Sequence, residues 1–142
     1  VWYAREVDTR QKGEVASLKA QQRAIEKGFV VSRPTTDARY DLVLDDGVRL
    51  IRAQAKYGGG KSSHSSGVAT VALRTWVGPS NKSFKKYEVG EVDLLLVYLP
   101  EMDVVTAFLP EEFQGKSILH VRLEAPANGA KKNILLASDH VW

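Results

Sequence analysis

The amino-acid sequence predicts an α+β fold, a mixed but mostly antiparallel sheet carrying one major helix early in the chain. Three observations point there: a long helical segment near the N-terminus, a series of short strand-sized apolar runs after it, and an Asp45-Asp46-Gly47 turn between two such runs. At 142 residues, with no internal repeat and no linker-like stretch, the chain is expected to form one domain spanning 1–142.

Asp8 or Thr9 can cap a helix running to about Lys27, with Gly28 as its stop. Glu14, Leu18, Gln21 and Ile25 recur at helical spacing and share one face, read as core-directed, while Ala16, Ala20 and Ala24 form a small-residue stripe suited to close packing on a sheet. Phe29–Ser32 reads as a short strand and Arg33–Asp37 as a polar turn. Tyr40–Leu44 and about Val48–Lys56 form the two arms of a hairpin. Tyr57–Gly67, rich in glycine and serine and holding Lys61 and His64, reads as a loop. Val68–Arg74 is a further strand. The basic segment Trp76–Gly90 reads as a loop with one helical turn near Phe84–Tyr87. Asp93–Leu99 and Val104–Leu109 are strands joined tightly through Pro100–Asp103, and Pro110–Phe113 is a helical turn opened by proline. Ser117–Leu123 and Asn133–Ala137 complete the strands.

Composition narrows the function classes. There is no cysteine, so disulfides, thiolate metal sites and cysteine nucleophiles are excluded. No apolar run approaches the ~20 residues of a membrane-spanning helix, and no secretory leader is evident, so an intracellular, cytoplasmic protein is expected, an organelle included; Val1 suggests a trimmed start. The net charge of +3 hides a strong segregation. Residues 48–90 carry eight basic residues and one acid, whereas residues 91–115 carry six acids and no base. Arg52, Lys61, Arg74, Lys82, Lys85 and Lys86 are therefore candidates for contact with nucleic-acid phosphates, and the acidic block is expected to face away from them.

The chemistry concentrates on the hairpin. Arg52, Gln54 and Lys56 alternate onto one face of the return arm, leaving Ile51, Ala53 and Ala55 to pack on the alanine-striped helix. Asp41 lies across the hairpin, within a residue or two of Gln54. A polar cluster projecting from mid-sheet is costly unless it is satisfied or used. Glu14, a carboxylate on a face read as core-directed, is a second anomaly of the same kind. Carboxylates, an amide and a main-chain carbonyl suit a hard cation such as Mg²⁺ (or Mn²⁺), which wants oxygen ligands, and a lysine two residues on can offset developing charge on a phosphate.

These residues resemble the PD-(D/E)XK nuclease superfamily and its restriction-endonuclease-like core. The run of Lys12-Gly13-Glu14, Gly28-Phe29-Val30-Val31, Arg33-Pro34, Tyr40-Asp41-Leu42-Val43 and Arg52-Ala53-Gln54-Ala55-Lys56 is most similar to the group I intron-encoded homing endonucleases of that superfamily. The resemblance implies Asp41 as principal metal ligand, Gln54 in the usual acid's position, Ala55 as a carbonyl ligand, Lys56 as the catalytic lysine and Glu14 as a helix-borne metal or water ligand. It further implies a Mg²⁺-dependent endonuclease acting on double-stranded DNA as a homodimer or homotetramer. A Holliday junction resolvase-like nuclease and a DNA-binding module with a decayed site are the alternatives. The departure from the common pattern is Gln54, whose neutral amide oxygen binds a cation more weakly than a carboxylate.

Overall fold

The structure is a computed structural model describing residues 5–59, 67–77 and 83–142. The first element, α1 (Thr9–Glu26), is opened by a capping box in which Asp8 accepts from the Gln11 N–H while the Gln11 side chain accepts from the Asp8 N–H. It ends at Lys27, and the chain turns away through Gly28 at φ +89°. Strands β1 (Val30–Ser32), β2 (Leu42–Asp45) and β3 (Leu50–Tyr57) follow, then β4 (Val68–Ala72), β5 (Thr75–Val77), β6 (Ser83–Lys85), β7 (Leu94–Leu99) and β8 (Val104–Phe108). A single helical turn, α2 (Pro110–Phe113), precedes β9 (Ile118–Arg122), β10 (Leu135–Leu136) and a closing 3-10 turn, Ala137–Asp139.

The central sheet runs in the order β1-β2-β3-β7-β8, with β3 and β7 parallel and the other neighbours antiparallel. It is the mixed, mostly antiparallel sheet the sequence predicts. Alternation along β7 shows how it is covered. Leu96 and Tyr98 join Ala16, Ala20 and Ala24 of α1 together with Ala53 and Ala55 of β3, whereas Leu95, Val97 and Leu99 point the other way. That second face is covered by β4 and β9, through Ala69, Val71, Leu119 and Val121, and by Phe113 of α2. Buried on both sides, β7 needs its nearly unbroken apolar run. The outer edge of β8 is closed by the last residues: the Ala107 N–H donates to His140 O, the Trp142 N–H donates to Val105 O, and Thr106 bridges to Val141.

Three expectations change. Leu18 and Ile25 are 59% and 63% exposed, so the face they share with Glu14 does not point at the core; the alanine stripe does. Alanine methyls from helix and strand let α1 lie close on β3, leaving no depth for longer side chains. Second, the segment read as a loop with a helical turn at 84–87 instead pairs β5 with β6, Trp76 opposite Phe84. Third, the hairpin's return arm begins at Leu50 rather than Val48. Asp45 and Asp46 spend their carboxylates on the turn's own N–H groups, those of Gly47, Val48 and Arg49.

Candidate functional site

The antiparallel register of β2 and β3 sets Leu42 opposite Ala53, and the Asp41 N–H donates to Ala53 O (3.0 Å). Asp41 therefore stands beside Gln54, as the hairpin reading anticipated. The Gln54 Nε2 donates to Asp41 Oδ2 at 2.7 Å and to Ala55 O at 3.3 Å, while the Ala55 N–H donates to the same Asp41 oxygen at 3.2 Å. One residue pair on, β3 leaves the sheet under constraint. The Gly58 N–H donates to Tyr98 O, and a Cβ at Gly58 would meet Leu99 and Val97 side-chain atoms at 2.7 and 2.8 Å. Only glycine lets the strand's end run this close to β7, which fixes the chain just beyond Lys56 and Tyr57.

Asp41, Gln54, Ala55, Lys56 and Tyr57 line one depression of about 530 Å³. Its opposite wall is α1 and the turn after β1, contributing Arg10, Gly13, Glu14, Ser17 and Arg33. Glu14 is thus brought to Asp41, although by a different route from the one its helical face suggested: it is exposed and reaches the depression from the helix flank.

Electrostatics follow from this packing. Burial raises the Asp41 carboxyl above the ordinary aspartate range, and the charge of Glu14 adds to the rise; the Ala55 N–H, Lys56 and Arg33 oppose it. Burial lowers the Lys56 ammonium, helped by Arg39 and opposed by Asp41. For a carboxyl raised by burial beside a second carboxylate, added positive charge favours the ionised form. The available donors are the Asp41 and Glu14 carboxylates, the Ala55 carbonyl and, after a half-turn of its amide, the oxygen of Gln54. That all-oxygen set fits a hard divalent cation rather than zinc. No group of three or more histidine, aspartate or glutamate side chains able to hold a metal occurs among the described residues.

The six predicted phosphate contacts separate. Arg52 is engaged by Asp93, its Nε and Nη2 donating to the two carboxylate oxygens at 3.0 Å each, while the Arg52 N–H also donates to Asp93 at 2.9 Å. This pair fastens β3 to the start of β7 and holds the Asp93 carboxyl below its usual range. Lys85 pairs with Glu91 at 2.8 Å. Arg74 is exposed, with its guanidinium 4.6 Å from the Phe84 ring centre, and Lys86 is exposed. Lys61 and Lys82, like His64, lie outside the described residues. Arg10 and Arg33, which line the depression, did not stand out in the sequence because both sit in a stretch whose charges sum to zero.

Among the described residues no helix is long and apolar enough to cross a membrane. Comparison with curated proteins finds no match. The fold is similar to a solved structure titled as that of a bacterial homing endonuclease, I-Ssp6803I, with a TM-score of 0.76 and 23% identity, covering 89% of this chain and 86% of that one. Residues 7–142 match the PD-(D/E)XK endonuclease family. A match over nearly the whole length, on a fold that brings Asp41, Gln54 and Lys56 to one depression, places this chain in the PD-(D/E)XK endonuclease family.

Proposed function

We propose that the protein is a metal-dependent DNA endonuclease that hydrolyses phosphodiester bonds, and specifically a site-specific homing endonuclease acting on double-stranded DNA. The observation that carries this reading is the convergence of Asp41, Glu14, Gln54, the Ala55 carbonyl and Lys56 on one depression of a family fold. Asp41, Glu14, the Ala55 carbonyl and the Gln54 amide oxygen would hold Mg²⁺ (or Mn²⁺). When bound, the cation supplies Lewis-acid polarisation of the scissile phosphate and acidifies water.

The chain's own residues do the rest. Burial disfavours the charged form of the Asp41 carboxyl, and a cation beside it would favour that form. Lys56, two residues beyond Gln54 on the same strand face, orients the attacking water by hydrogen bonding and offsets charge growing on the phosphate. Its lowered proton affinity also suits it to exchange a proton with that water. One such site cuts one strand, so a double-strand break needs at least a homodimer; a homotetramer is the larger assembly that fits.

The test is digestion of a randomised duplex library, with a four-way junction alongside, in Mg²⁺. Cutting of a discrete set of duplexes supports the reading, and cutting of the junction alone redirects it to a resolvase-like activity. Cutting of neither in any divalent metal points to a DNA-binding module with a decayed site, the reading that the Gln54 amide nitrogen lying on Asp41 favours. Lys56→Ala is expected to abolish cleavage while leaving duplex affinity within about threefold; surviving cleavage would sink the assignment.

A further inference from the structure

Arg10, Gly13, Ser17 and Arg33 line the same depression but have no part in the chemistry assigned above. On α1, residues 10, 13, 14 and 17 share one face, so the helix flank that presents Glu14 to Asp41 also carries Arg10 and two small residues. Gly13 is the unexpected one. It lies inside an 18-residue helix, where glycine is among the poorest formers. It does not belong to the positive-φ glycines, and a Cβ built on it meets nothing within 4 Å. Among the described residues, neither backbone conformation nor packing calls for glycine there. What its absent side chain leaves open is the approach over the helix to Asp41.

The two arginines border that opening. Arg33 Nη2 donates to the hydroxyl of the buried Ser17 at 3.4 Å, which steadies it at the rim. Neither Arg10 nor Arg33 has a carboxylate partner among the described residues, unlike Arg52 and Lys85. Two guanidinium groups that line the depression and form no close ion pair among the described residues suit a chain of phosphates rather than a single small anion.

We propose that this flank of α1, together with Arg33, is the surface along which the DNA backbone lies at the cut site. Arg10 and Arg33 pair with phosphates flanking the scissile one, and Gly13 is glycine because the sugar–phosphate chain passes over it. The contacts are to backbone, so they position any duplex without reading its sequence. This inference rests on the nuclease reading and adds the path of the substrate to it.

The test measures affinity of the full chain for a mixed-sequence duplex in EDTA by fluorescence anisotropy across a salt series, with thermal melts of each variant. Arg10→Ala and Arg33→Ala should each reduce the slope of log affinity against log salt by about 0.9, and Arg33→Lys should restore it. Gly13→Ala should raise Tm by about 3 °C, as helix propensity dictates. Gly13→Gln should melt no lower than the wild type yet bind the duplex roughly tenfold more weakly as phosphate contacts are lost. Unchanged slopes in both arginine variants, or wild-type binding by Gly13→Gln, overturns the proposed path while a cleaving wild type leaves the nuclease reading intact. A wild type that neither binds duplex nor cleaves it with Mg²⁺ removes both.

Discussion

Gln54 is the residue on which the site turns. Its amide nitrogen stands between Asp41 Oδ2 and Ala55 O, donating to both. In the proposed site the same Asp41 carboxylate and Ala55 carbonyl would hold the cation. A half-turn of the amide exchanges nitrogen for oxygen, which without a cation would set three oxygens against one another. The glutamine therefore quiets Asp41 in the absence of metal, as a carboxylate could not. Replacing it by Gln54→Glu removes the donor and adds a second acid. In EDTA the variant should lose about 1–3 kcal/mol of stability, and Mg²⁺ should restore it, giving a larger cation-induced Tm shift than in the wild type. Equal shifts would mean that the amide does not sit at the cation's place. At this scale the Asp…Gln-x-Lys spacing was legible in the sequence, but the direction of the amide was not, since it depends on the Ala55 carbonyl turning toward it. Arg52 shows the same limit: its charge alone made it a candidate phosphate contact, and its partner, Asp93, comes 41 residues later.

Among the elements, the hairpin and the major helix were readable because their signals are local. Asp8 and Gly28 punctuate the helix, and an Asp-Asp-Gly turn between alternating arms sets a register that brings Asp41 to Gln54. Which helical face is buried was not local. Leu18 and Ile25 are the more apolar residues, yet the sheet selects Ala16, Ala20 and Ala24, because Ala53 and Ala55 on β3 make an alanine-on-alanine contact that only small residues allow. Ala20→Leu should therefore destabilise the fold by about 1–3 kcal/mol through overpacking, despite leucine's good helix propensity. Urea denaturation measures this, and a neutral result would show that α1 can lift from the sheet. The β5–β6 ribbon was missed for a related reason. Its three-residue strands carry too few residues to display a period, and their identity rests on pairing with each other.

At the scale of the whole molecule, folding redistributes the charge. The acidic block was expected to keep apart from the basic one, yet Glu91 meets both Arg39 and Lys85, and Asp93 meets Arg52. Glu91 is held down to about 2, first by the Glu88 N–H and then by Lys85 and Arg39. A carboxylate depressed in the folded state contributes stability above its unfolded pKa and loses it as pH falls through the folded value. Acid titration of wild-type stability should thus show a loss between about pH 4.5 and 2 that Glu91→Gln lacks. Identical acid profiles for the two would deny Glu91 this role. By itself the sequence determined the α+β class, the helix with its caps, the hairpin and the grouping of Asp41, Gln54 and Lys56, since each follows from periodicity, turn chemistry or short-range spacing. Only the tertiary structure decided which helix face is buried, which cations are already paired, and that Arg10 and Arg33 share a depression with Glu14 and the strand residues. Those outcomes depend on contacts between segments far apart in the chain, where packing and ion pairing are chosen by the fold as a whole.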